Sequence, residues 1–168
     1  MGLPITLSEI APRISAGAFI LNSGLSKRGA DEATAAGLQG FAAGTYPFLK
    51  NLSPQQFVKT LSTAEIAVGA ILLAPFVPTA VAGAVLTAFS GGLLGLYLKT
   101  PGMRKPGSLA PTQEGLAVSK DVWLLGIGIG LFTRGLMDRT PRVTVTKANK
   151  QAKKQAAQAA RDVRRTAR

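Results

Sequence analysis

The amino-acid sequence predicts an all-α protein: an integral membrane four-helix bundle followed by a basic cytoplasmic C-terminal helix or tail. Three observations carry that class. No charged residue occurs between Glu65 and Lys99, a stretch well beyond the roughly 20 apolar residues that cross a bilayer. Of the 168 residues, 46% are hydrophobic and 17% charged, yet the formal net charge is +12, which conflicts with an evenly solvated surface. Eleven of the twenty Lys and Arg lie between Arg134 and Arg168, so an oily body, residues 1–138, precedes a basic tail, residues 139–168. An oily soluble helical protein is the plainer alternative.

The sequence contains neither cysteine nor histidine. Disulfides, thiolate nucleophiles, haem ligation and the common zinc sites are thereby excluded, as is a triad built on imidazole. No metal site and no intrinsic cofactor are expected.

The spans are expected at about 10–27, 54–74, 79–98 and 119–137. The first holds only 13 charge-free residues, Ile14–Ser26, and the last only 12, Val122–Thr133. Each is short for a crossing, but Arg13, Lys27, Lys120 and Arg134 are long enough to snorkel to head groups. Tyr97 and Trp123 lie at segment ends, where amphipathic rings favour the interface. The second span opens at Ser53-Pro54, an N-cap with proline at the first helical position. Pro75 and Pro78 break the oily run into two helices. In the third span Gly83, Thr87, Gly91 and Gly95 recur every four residues, and Gly126 and Gly130 repeat that spacing in the fourth. Small residues so placed predict close helix packing.

Two connections separate the spans. Residues 28–53, rich in Gly and Ala, read as an interfacial helix, a re-entrant flap or a plain extracellular loop. Residues 99–120 hold three prolines and predict an irregular link. Seven Lys or Arg between Arg134 and Lys154 outnumber the four in each of the outer stretches Lys27–Lys59 and Lys99–Lys120. The positive-inside bias therefore places both termini in the cytoplasm of a multi-pass cell-membrane protein. The N-terminus shows no basic n-region or cleavage site.

Arg13-Ile14-Ser15-Ala16-Gly17-Ala18-Phe19 followed by Asn22–Lys27, then Ala64-Glu65-Ile66-Ala67-Val68-Gly69, then Lys120-Asp121-Val122-Trp123-Leu124-Leu125-Gly126, resemble segments of the DoxX-like family of small bacterial four-span membrane proteins. The resemblance covers about residues 11–135; the tail and the Ala/Gly-rich first connection depart from it. It implies a setting near quinone-linked electron transfer, with the chain as a subunit or accessory part. The glycines of GIGIG lie inside an apolar span with no preceding strand, so they are not a nucleotide motif.

Glu65 is the candidate functional residue. A charge inside a span costs roughly 2.5–3.5 kcal/mol on insertion scales, so it should face the bundle and find a partner. It can pair with Lys27 beside Asn22, exchange protons with a quinone-like or lipid-like ligand, or be solvated at head-group level. Three functions follow: an accessory subunit of a membrane oxidoreductase assembly without turnover of its own, a proton-transferring quinone-reductase-type subunit using Glu65, or a lipid-handling scaffold. The tail is expected to contact anionic lipid through Lys147, Lys150, Lys153, Lys154, Arg161, Arg164 and Arg165. A solvated basic end is the plainer reading. No aromatic or base-reading residue accompanies those charges, so membrane lipid and a protein of the same complex are the expected partners and nucleic acid is not.

Overall fold

The structure is a computed structural model that describes residues 6–139, where the compact unit ends at Gly135. The expected tail contacts, Lys147 to Arg165, lie outside the described residues. Among the described residues six α-helices form: α1 (Leu7–Lys27), α2 (Glu32–Thr45), α3 (Pro54–Leu73), α4 (Thr79–Lys99), the short α5 (Leu116–Ser119) and α6 (Asp121–Arg139). Among the described residues the only extended pairing is an isolated bridge, Arg104 with Pro111. The described residues are all-helical, and among them three segments are long and apolar enough to cross a membrane: Pro54–Leu73, Thr79–Lys99 and Leu116–Met137. α1 matches them in length, but Glu9, Arg13 and Lys27 make it less apolar.

Local chemistry sets the helix starts. Ser53 accepts from the Gln56 N–H at 3.3 Å and Gln56 Oε1 returns to the Ser53 N–H at 3.0 Å, with Pro54 next. This reciprocal cap relieves donors that the first turn cannot use. Asp31 caps α2 through the Thr34 N–H at 2.8 Å. Residues 28–53 are thus mostly helical. Ala35, Ala42 and Ala43 are buried, and the first two pack on Phe57 and Val58 of α3. Gln39 Nε2 donates to the Leu49 carbonyl at 3.1 Å, fastening the 3-10 turn Pro47–Asn51 beneath α2.

α1 and α3 run antiparallel in close contact. A Cβ at Gly17 would meet Leu72 and Leu73, one at Gly24 would meet Glu65 and Ile66, and one at Gly69 would meet Leu21 and the Gly17 carbonyl, all within 3.1 Å. α4 and α6 repeat the arrangement. Gly83 lies against the backbone of Leu131 and Phe132, Gly128 against Thr87, and Gly135 against Ala80. In each pair one helix carries glycines seven residues apart, and its partner sets a glycine opposite the middle of that interval.

The four-residue seam expected in α4 therefore needs correction. Gly83 and Thr87 meet α6, but Gly91 is exposed and meets nothing within 4 Å, and Gly95 lies under the Tyr46 hydroxyl of the α2 segment. Gly126 and Gly130 are also exposed; Gly128 and Gly135 do the packing. A four-residue step advances about 400° around a helix, so the row drifts about 40° per step and leaves the partner. A seven-residue step drifts only about 20° and stays in register.

Candidate functional site

Polar chemistry gathers at two ends of α1. At its N-terminal end Arg13, expected to snorkel, is instead 3% exposed. Its Nε donates to the Leu72 carbonyl at 2.8 Å, Nη1 to Val77 at 3.0 Å, and Nη2 to Ala74 at 2.8 Å and Ile71 at 3.2 Å. The cause lies in the α3–α4 turn. Pro75 and Pro78 have no N–H, so the carbonyls of Ile71 and Ala74 lose their i+4 donors. A guanidinium with five N–H groups can serve several such carbonyls at once, and its charge suits the negative end of α3. Glu9 is also buried. Its Oε2 accepts from the Thr6 N–H at 2.8 Å and from Thr79 Oγ1 at 3.0 Å, and its Oε1 stands 3.7 Å from Arg134 Nε.

At the other end Lys27 Nζ lies 2.9 Å from Glu65 Oε2. Glu65 sits near the middle of α3, with its side chain 7% exposed. Lys27 spends its remaining donors on its own helix, at 2.7 Å to Ser23 Oγ and 3.3 Å to the Ser23 carbonyl. Asn22, expected beside the pair, is exposed on another face of α1. Ser23 takes its place because it lies one helical turn before Lys27, on the same face. Ser62 Oγ adds a 2.7 Å bond to the Gly24 carbonyl. That bond forms because Gly24 lets the two backbones approach.

The Lys27–Glu65 pair opens on a cavity of about 270 Å³. α1, α3, α4, α5 and α6 wall it, and Leu38, Phe41 and Ala42 of α2 line it as well. Its polar side chains are Ser23, Lys27, Glu65 and Asp121, the last at the start of α6; the rest of the wall is apolar, including Phe19, Phe41, Phe57 and Phe89. Glu65 and Asp121 face the same space and repel one another. In the sequence Asp121 stands out only as part of the segment Lys120–Gly126. Its position on a first helical turn after a basic residue gives no hint that it meets Glu65, because that meeting depends on α6 packing beside α1. Among the described residues no cluster of three or more Asp or Glu could hold a metal ion.

The two expected interface rings separate. Trp123 is 69% exposed. Tyr97 is buried, and its hydroxyl donates to the Leu109 carbonyl at 2.5 Å, tying the proline-rich link to α4. A phenol that finds a carbonyl inside the protein has no need of the head-group region.

Comparison with models of known families, with curated proteins and with solved structures gives no match.

Proposed function

We propose that the chain is a four-span integral membrane protein of the cell membrane, with both termini cytoplasmic, and that it serves as an accessory subunit of a membrane assembly without turnover of its own. The quinone-linked redox setting rests on the DoxX-like resemblance alone. The fourth crossing is supported by the way α1 lies antiparallel along the C-terminal half of α3, where the buried Arg13 and the half-buried Lys27 find their partners. The exposed apolar side chains of α6, Val122, Trp123, Ile129 and Phe132, suit contact with lipid or with a neighbouring span.

The observation that carries the accessory reading is the spending of Lys27. All three of its N–H groups are bonded within the protein, and one of them holds Glu65. A carboxylate pinned in this way is a brace between helices. A second reading, proton transfer through Glu65 to a quinone-like ligand, draws on Asp121 facing Glu65 across the cavity.

A double-mutant cycle on the full-length protein in mild detergent separates them. As a brace, Lys27→Met should cost about 3 kcal/mol, since it leaves Glu65 buried and unpaired, and Glu65→Gln should cost less, since the half-buried Lys27 keeps its bonds to Ser23. The double variant should then lose less than the sum, and turnover of the reconstituted assembly should fall only with the amount of folded subunit. Strictly additive losses would defeat the pairing. Intact stability with abolished turnover in Glu65→Gln would favour the relay, as would quinone bound to the isolated subunit.

A further inference from the structure

The cavity beneath α2 has an imbalance that the brace does not resolve. With the Lys27 donors consumed, the Ser23 hydroxyl is the one side-chain donor left to a ligand there. Acceptors are in excess. Among the described residues, Glu65 Oε1 and both Asp121 carboxylate oxygens have no hydrogen-bond or ion-pair partner. The formal charges of Lys27, Glu65 and Asp121 leave one net negative charge facing an apolar wall. The amino end of α6 offsets only about half a charge. No other basic residue lines the cavity, and Lys120 is exposed in the adjoining groove. An uncompensated charge in such surroundings favours any cation that can reach it.

The walls suit a particular cation. Rings of Phe19, Phe41, Phe57 and Phe89 line the space, and aromatic faces attract a positive charge through their quadrupoles. The volume is at the small end for a ligand site, room for about one ring with a short substituent. A groove between α1 and α6 shares Phe19, Asp121 and Leu124 with the cavity and runs out to Trp123. Phe19 and Trp123 are both about two-thirds exposed, at 65% and 69%. An amphiphile dissolved in the bilayer therefore has a sideways route in, with Asp121 at the threshold.

We infer that this cavity is a binding site for a small monocation with an apolar body, of the arylammonium or alkylammonium class, its charge against Asp121 and Glu65 and its body among the phenylalanine rings. The inference goes beyond the accessory reading and stands independently of any redox partner.

The test titrates two probes onto the full-length protein in mild non-ionic detergent, following binding by NMR shift changes. Benzyltrimethylammonium carries the charge; neopentylbenzene has the same shape without it. The cation should bind about tenfold more tightly than the neutral probe, or better. Asp121→Asn should erase that preference while neopentylbenzene still binds and the melting temperature holds. Leu124→Trp should exclude both probes. Should Asp121→Asn fail to fold, Phe41→Leu gives a second check: it should weaken the cation several-fold and leave the neutral probe unchanged. Equal affinity for the two probes in the unmodified protein, a preference that survives Asp121→Asn, or no binding of either probe overturns the inference.

Discussion

The pair α1/α3 and the pair α4/α6 solve one packing problem with different chemistry. Both bring backbones together with glycines seven residues apart, Gly17 and Gly24 in α1, Gly128 and Gly135 in α6. The second pair needs little else: α4 has no acid or base before Lys99, and its side of the contact is Ala80, Gly83 and Thr87. The first pair adds Arg13 at one end and Lys27 at the other, each bonded to α3. Small residues suffice where both helices are apolar, because close contact replaces weaker lipid contact. α1 is more polar, and α3 accepts bonds from both of its cations. α1 is thus conditional on α3, whereas α4 is suited to the bilayer by itself.

Arg13→Met should break that comparison most severely. It leaves the carbonyls of Ile71, Leu72 and Val77 short of donors, while Ala74 keeps the Val77 N–H, at about 1–3 kcal/mol for each group left unsatisfied. A total loss above about 3 kcal/mol is expected in detergent melting, with Arg13→Lys recovering part of it, because an ammonium has three N–H groups in place of five. A near-neutral Arg13→Met would mean that water serves those carbonyls.

The α4/α6 pair should yield less to a single change. Gly83→Leu drives a side chain into the backbone of Leu131 and Phe132, and overpacking of this kind costs typically about 1–3 kcal/mol. Gly91→Leu, eight residues on, meets nothing and should leave melting and cross-linking between α4 and α6 unchanged. Equal damage from the two would restore the four-residue seam.

The smallest effect belongs to α2, outside the three segments long and apolar enough to cross a membrane. The Thr34 hydrogen bonds hold the Asp31 carboxyl below its ordinary range. A carboxyl whose folded value is depressed contributes fully above its unfolded value, about 3.9, and loses that contribution as pH falls through the folded value. Hydrogen exchange in the first turn of α2 should quicken below about pH 4 relative to α3. Asp31→Asn, which still caps, should remove that pH dependence. An identical profile in the variant would show that another group governs it.

Much of the architecture was legible because it follows from local rules. The Ser53-Pro54 start needs only a cap and a proline, and the break at Pro75 and Pro78 needs only missing N–H groups. The need of Glu65 for a partner follows from the cost of a charge in hydrocarbon, and Lys27 closes a neighbouring helix. Other features were not legible. Arg13 reads in one dimension as a head-group anchor. Its assignment requires knowing that the carbonyls of Ile71 and Ala74, which lack their i+4 donors, lie beside it, although two prolines three residues apart already announce that some donor is required. Asn22 and Ser23 are adjacent in sequence and about 100° apart on the helix, so one residue of register decides which reaches Lys27.

The sequence by itself determined that the chain is helical, oily and free of imidazole and thiol chemistry, because composition and the positions of Pro, Ser and charged residues act within a turn or two of chain. Tertiary structure alone decided which glycines touch, which cation is buried, and that Asp121 faces Glu65 across a space lined by rings from α1, α2, α3 and α4. Those outcomes depend on the azimuth of one helix against another. Azimuth is set by the summed fit of two surfaces, and no short stretch of either helix contains it.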